Sequence, residues 1–526
     1  MKHCRLLLAL GLALPIAAGA SVTLAPLFRD DAVLQRDKPI PVWGLASPGE
    51  HVSVSFRDRQ ASAEADRDGR WTVSLDPLPA SSSPADLVVT GDNKLVVHGV
   101  LVGEVWLCSG QSNMEFTVYD PANRSFQVAN AQKEIADANF PLIRQFKVGK
   151  LESDTPVDTA AGSWVSCSPA TVANFTAVGY FFARDIHRKL GVPVGIVECA
   201  WGGSAIEAWL SRVTLASNPA FRSVQARWIR EQADYPLNKA RRDALIQAWR
   251  TAESQSHQQG PDAHALFISQ FPMPKPVDAP DKPYPHAPSR LYNGMLHPLI
   301  PYALRGVLWY QGESNTGRPW EYHRLFAAMI ASWRGDFRQG DIPFYWVQLA
   351  NYNGGNAAAT NWAFLREAQA RTLDLPATGM AVAIDIGSAE DIHPKNKQEV
   401  GRRLALIAKA KDYGITDDFS GPVFESAVRS GTGLLVSFRY SGTGLTAAGK
   451  PLQSFELAGP DRSFHPATAE IVRDQVLVHS AGVPNPVAVR YAWKNAPDAN
   501  LYNGAGLPAA PFRSDSWPDP AQTSLP

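Results

Sequence analysis

Between residues 101 and 415 the chain alternates short, almost uninterrupted apolar runs with helical stretches. That alternation restricts the fold more than any other feature. The apolar runs are Glu104–Cys108, Val194–Cys199, Gly306–Tyr310, Phe344–Leu349 and Met380–Asp385. A strand reads this way when both of its faces are covered. Helical stretches are expected at Val178–Leu190, Trp320–Trp333, Trp362–Leu373 and Lys397–Lys411. The pattern predicts an α/β domain with a five-stranded parallel sheet and helices on both sides. Ligands of such sheets bind beyond the carboxyl ends of the strands. The polar blocks of this sequence fall there, just after the first three strands and just beyond the fifth.

A chain of 526 residues exceeds one ordinary core, so further domains are expected on either side. Residues 21–100 alternate β-type runs with turn signals, among them Val52–Phe56, Trp71–Leu75 and a hairpin turn at Asp68-Gly69. They predict an N-terminal β-sandwich whose last strand leads directly into Glu104–Cys108. The α/β domain is assigned to 101–420. A second β-sandwich is expected over 421–526 from runs such as Gly433–Tyr440 and Gln475–His479. An insertion at 211–291 combines a charged, Gln-rich helical stretch with a Pro-rich run from Phe271 to Pro288. It reads as a solvated helix pair with a stiff linker; the alternative is a lid.

The first polar block is Cys108-Ser109-Gly110-Gln111-Ser112-Asn113-Met114-Glu115, a hydroxyl-bearing turn at a strand end. Either Ser109 or Ser112 could be a nucleophile there, and both could be plain turn residues. A serine attacks only when a base takes its proton and a third group orients that base. Glu390-Asp391-Ile392-His393-Pro394 supplies an imidazole with carboxylates just before it. These parts together point to a serine esterase.

Four ordered blocks carry a resemblance: Gly110-Gln111-Ser112-Asn113-Met114, Trp201 to Trp209, Trp309 to Asn315, and Asp391 to Lys397. In sequence they resemble the SGNH (GDSL-like) hydrolases, in the sialate O-acetylesterase-like branch of carbohydrate acetylesterases. The resemblance extends toward both ends of the chain, to Leu501-Tyr502-Asn503 and Pro511-Phe512-Arg513. It implies a flavodoxin-like α/β fold, Ser112 as nucleophile and His393 as general base. The superfamily tends to place an Asp three residues before that histidine, where this chain has Glu390. Asp391 is therefore chosen as the orienting acid, with Asp385 and Glu390 as runners-up. For the oxyanion the expected donors are the backbone N–H of Ser112, Gly203, whose lack of a side chain permits close approach, and the Gln311 amide, preferred over Asn315. Glu207, Glu313 and Arg366 are expected to brace loops or position sugar hydroxyls. The family needs no metal or organic cofactor, and no cysteine or histidine spacing here resembles a zinc site.

The implied reaction is hydrolysis of an acetyl ester on a sugar. The substrate is acetylated plant cell-wall polysaccharide such as xyloglucan or xylan, or O-acetylated sialic acid. A lipase-like or arylesterase enzyme is one rival, and a non-catalytic polysaccharide-binding protein another. Lys+Arg and Asp+Glu each number 50, a balance that argues against nucleic acid or a membrane surface as partner. Most of the fifteen Trp are expected in cores, with a minority facing sugar rings. Lys2, Arg5, the apolar run Leu6–Ala18 and Ala18-Gly19-Ala20 read as a secretory signal over residues 1–20, so an exported, periplasmic or extracellular protein is expected. Past that signal lie Cys108, Cys167 and Cys199, an odd number that allows at most one disulfide. Cys108 and Cys199, at strand ends, are expected to be buried thiols.

Overall fold

The computed structural model describes residues 21–123, 126–271, 273–274, 286–354, 356, 359–415 and 418–518. The expected signal segment and most of the Pro-rich run lie outside them.

The central sheet contains β1 (Lys94–Gly110), β2 (Phe140–Lys147), β3 (Trp164–Cys167), β4 (Val194–Ala200), β5 (Gly306–Tyr310), β6 (Phe344–Gln348) and β7 (Thr378–Val382). Their spatial order is β7-β6-β5-β1-β4-β2-β3. Neighbours run parallel except for the antiparallel pair β2–β3. Six strands are therefore parallel, one more than expected. β2 escapes a search for continuous apolar runs because Arg144 and Gln145 interrupt it. Both are buried and bonded, Arg144 to the carbonyls of Asp31 and Gly99 and Gln145 to Glu198. The five expected strands, β1, β4, β5, β6 and β7, stand in the flavodoxin-like order, in which the second of them borders the first, and β2 is added outside β4.

Alternate side chains of the sheet meet different helices, as the pleat requires. Trp106 on β1 packs on Phe182 of α1 (Ala177–Leu190), whereas Trp309 on β5 packs on Phe326 and Trp333 of α2 (Pro319–Phe337). Trp106 pairs in register with Gly306, three residues from Trp309, so the two indoles lie on opposite faces. α3 (Asn361–Arg371) adjoins α2, and α4 (Lys397–Asp412) crosses α1 where Gly401 lies against Phe181.

The N-terminal β-rich region shares a strand with this sheet. The first part of β1 pairs antiparallel with Ser81–Thr90, and Val33–Gln35 lies parallel to it. One continuous apolar core results, from Val22 to Ala408. The Asp68-Gly69 turn forms, with Gly69 at φ 75°. It is not a hairpin turn, because Arg70–Leu75 pairs with Ile40–Leu45 instead of the strand before it. Beyond residue 420 two four-stranded antiparallel sheets enclose a second core around Val436, Leu457, Val478 and Tyr491.

Arg366 fastens that unit to the central one. Fully buried on α3, it donates to the carbonyls of Leu349, Ala350, Lys494 and Asn495, each at 2.8 Å. It braces, as expected, and does not reach a rim. Arg366→Met leaves four buried carbonyls without their donor, and is expected to cost about 3 kcal/mol of stability. Thermal unfolding of the variant beside the parent protein measures this.

Candidate active site

At the end of β1 the chain must turn sharply under a neighbouring backbone. Gly110 has φ 137°, and a Cβ there would lie 2.2 Å from the Tyr310 carbonyl oxygen. Gln111 donates its N–H to that same oxygen (3.0 Å), and a single helical turn, Ser112–Glu115, follows. Met114 is buried beneath it, which leaves Ser112 half-exposed on the rim. Ser109, the competing hydroxyl, is fully buried and its Oγ has no partner among the described residues.

His393 arrives on the loop after β7, and its Nε2 lies 2.8 Å from Ser112 Oγ. Phe126 flanks the imidazole, with ring centroids 4.7 Å apart. Burial holds His393 below the ordinary histidine range; the nearby Lys397 charge adds to this, and Asp391 pulls the other way. Of the three carboxylates, Asp391 is the near one. Its Oδ1 accepts the backbone N–H of His393 at 2.9 Å and stands 3.7 Å from the ring Nδ1. Asp385 is held by both Nη atoms of Arg403, at 2.7 and 2.8 Å. Glu390 is exposed and accepts from the Ser388 hydroxyl at 2.9 Å.

The second block closes over the serine. Trp201 donates its N–H to the Gly110 carbonyl (3.1 Å), and Gly202 lies so near that a Cβ would stand 3.4 Å from that of Ser112. Glu115 accepts the Gly202 N–H at 2.7 Å and pairs with Lys150 at 2.5 Å, which pins this loop to the serine turn. Gly203 has φ 76°, and its carbonyl accepts from the Ser314 hydroxyl. The backbone N–H groups of Ser112 and Gly203 meet no protein acceptor among the described residues.

Gln311 is a correction. It is fully buried and its amide hydrogens go to the Ser204 carbonyl (3.1 Å) and Asn315 Oδ1 (2.7 Å), so none faces an oxyanion. A strand-end position does not tell which way a side chain turns, and this one turns into the loop scaffold. Asn315 belongs to the same scaffold, donating to Glu207 at 2.8 Å. Glu207 in turn holds Arg318 (2.9 Å) and Arg227 (3.3 Å), so it braces. Glu313 receives Asn113 Nδ2 at 2.6 Å. Asn113, Glu115, Phe126 and Lys397 had no role assigned from sequence. Asn113 and Lys397 stand inside the recognised blocks and Glu115 directly follows the first, so block position was the available signal; Phe126 had none.

Ser112, Gly202, Phe126, Asn123 and Thr117 line a hollow of about 450 Å³. A larger cavity of about 630 Å³, between Trp320 and Trp517, includes neither Ser112 nor His393. Among the described residues no group of His, Cys, Asp or Glu is placed to hold a metal, and no helix is long and apolar enough to cross a membrane. Cys108, Cys167 and Cys199 are buried free thiols.

Sheet and rim together describe a hydrolase of the esterase class built on a largely parallel α/β sheet. A family model described as carbohydrate esterase, sialic acid-specific acetylesterase, matches residues 102–234 and 279–409. The chain is 29% identical to the sialate O-acetylesterase of Mus musculus, over 94% of this chain and 95% of that one. It is equally similar, at 29%, to the one of Homo sapiens, over 96% of each. A solved carbohydrate acetylesterase from Xanthomonas citri is 40% identical, with a TM-score of 0.77 over 94% of this chain and all of that one (100%). The chain belongs to this carbohydrate esterase family and is an acetylesterase.

A base must be unprotonated to act, and a lowered histidine loses its proton at lower pH. The acid limb of kcat/KM on a soluble acetyl ester is therefore expected to reach half-height below pH 6.5, the ordinary histidine value. A pH–rate profile tests this.

Proposed function

We propose that the protein hydrolyses acetyl esters on acetylated plant cell-wall polysaccharide, such as xyloglucan or xylan, with Ser112, His393 and Asp391 as catalytic residues. The observation that carries this reading is the 2.8 Å Ser112–His393 hydrogen bond, made by a serine that lines an open hollow. Neutral His393 takes the hydroxyl proton as Ser112 Oγ attacks the acetyl carbonyl carbon. The oxyanion forms against the backbone N–H groups of Ser112 and Gly203. His393 then returns the proton to the departing sugar oxygen, leaving acetyl on Ser112. Water, deprotonated by His393, attacks that acyl-enzyme and releases acetate. Asp391 orients His393, since Asp385 and Glu390 have other partners. Its carboxylate needs to close a gap of about 1 Å to bond Nδ1, and catalytic contacts often tighten when substrate binds.

The wall residues Glu115, Asp120, Asn123, Lys147 and Asn174 favour a substrate rich in hydroxyls over a long acyl chain, which speaks against the lipase-like rival. O-acetylated sialic acid is the second reading, favoured by the names of the mammalian relatives. Its carboxylate calls for a cation, and the two lysines beside the hollow already hold Glu198 and Glu115. The basic start and apolar run before Ala20 support export to the periplasm or beyond.

Ser112→Ala is expected to abolish acetate release while leaving binding of acetylated xyloglucan and thermal stability intact; a variant that still hydrolyses would refute the assignment. Asp391→Asn should lower kcat about 10²- to 10⁴-fold, with KM nearly unchanged. Glu390→Gln should behave as the parent protein, and Asp385→Asn should chiefly lower stability through loss of the Arg403 pair. Rates across acetyl, propionyl and butyryl esters separate an acetylesterase, which loses rate with each added carbon, from a lipase-like enzyme.

A further inference from the structure

We propose that Lys397 is a positioning residue, which locks the His393 loop to the serine turn through Asn113. The inference rests on the reading of His393 as the base. Lys397 opens α4, whose first turn is capped by the Asn396 side chain on the Glu399 N–H (3.1 Å). It is fully buried, a rare state for a lysine unless it is paired. Its Nζ lies over the rings of Phe116 and Tyr310, 4.7 and 5.3 Å from their centroids, and donates to Asn113 Oδ1 at 2.5 Å. Two ring faces and an amide oxygen form the surroundings of a cation.

Asn113 directly follows Ser112. Its amide nitrogen donates to Glu313 at 2.6 Å and to the carbonyl of Ile392, the residue before His393, at 3.0 Å. Four pieces of chain thus meet at one amide: the serine turn, the loop after β5, the histidine loop and the start of α4. The separation of Ser112 Oγ from His393 Nε2 depends on how these pieces seat, and Lys397 orients the amide by claiming its oxygen. The other Glu313 oxygen, Oε2, is shielded from water and without a hydrogen-bond partner among the described residues, and the Lys397 charge acts on this carboxyl. Burial raises the Glu313 carboxyl, with Asn113 and Lys397 opposing.

The charges that act on His393 are those of Lys397 and Asp391. Lys397 in turn faces Glu313 and Asp391, while burial drives the phenol of Tyr310 well above its ordinary value, so that ring contributes no charge. Burial pulls the Lys397 ammonium itself down to about 7, with both carboxylates raising it. A positive charge near an imidazole disfavours the imidazolium, so removing it must move the histidine's titration to higher pH.

The test compares Lys397→Met, Glu313→Gln and the double variant. Lys397→Met is expected to lower kcat about 10- to 100-fold, as a small misplacement of reacting groups does, with KM little changed. It should also move the acid limb of kcat/KM upward. In ¹³C-histidine NMR, with His393 assigned through His393→Gln, the same upward shift should appear without turnover. The double variant should regain thermal stability lost by Lys397→Met alone, because no unpaired carboxylate remains, and should keep the shifted titration. A folded single or double variant with the parent kcat and the parent His393 titration overturns the proposal. So does loss of kcat with an unmoved titration, which marks a merely structural residue. Hydrolysis surviving in Ser112→Ala would instead sink the esterase assignment, a separate outcome.

Discussion

The approach of the Tyr310 carbonyl to Gly110 is the constraint on which the site is built. A Cβ at residue 110 would lie 2.2 Å from that oxygen, and the next N–H, from Gln111, is bonded to it. The Gly110 carbonyl accepts in turn from the Trp201 N–H and the Ser204 hydroxyl. The ends of β5, β1 and β4 are thereby tied through one residue without a side chain. Because the three strands are parallel and adjacent, their following loops leave the sheet on the same edge, where an α/β sheet opens its crevice. The serine, the Gly202-Gly203 loop and the Glu313 loop converge as a consequence of that crossing.

Buried charge holds the arrangement at the middle and at the carboxyl end of β1. At its middle, Glu104 is fully buried and held by Arg36 and Arg305, with Gln35 completing the set. At the catalytic rim Glu207, Glu115 and Lys397 each tie separate loops together. Such groups are costly to bury alone, and removing one partner leaves the other uncompensated. They therefore favour one seating of the loops over slightly shifted ones, and with it the 2.8 Å separation of Ser112 Oγ and His393 Nε2. Apolar contacts alone would be less discriminating, since packing is not directional.

What could be read in the sequence follows from the same physics. The strands covered on both faces announce themselves as apolar runs, and the rim blocks follow them, so sheet, edge, Ser112 and His393 were legible. β2 was not, since Arg144 and Gln145 perform buried polar roles within a strand. Gln311 was misassigned because an amide at a strand end can turn toward substrate or scaffold, and only the positions of Ser204 and Asn315 decide it. Met380–Asp385 was placed late by two residues: β7 starts at Thr378 and stops at Val382, which leaves Asp385 free to pair with Arg403. Lys397 and Asn113 lie 284 residues apart, and no local pattern can disclose that they share a hydrogen bond.

The insertion shows how little of an appended element needs to touch a site. Its long helix, Arg222–Gln258, is largely exposed and carries outward-facing Ile229, Leu237 and Leu245. Its first turns are fastened to the central unit: Val224 is buried, Arg227 bonds both Glu207 and Glu321, and Arg290 lies over the Trp228 ring. Those contacts fall on the residues that brace Asn315 and the Gly203 loop. The insertion therefore reaches the rim through Glu207. Its base braces the Gly203 side of the crevice through Glu207, whereas on the His393 side Asn113 and Lys397 join the loops. The two walls of the hollow are held by unrelated parts of the chain, and they meet at the turn around Gly110.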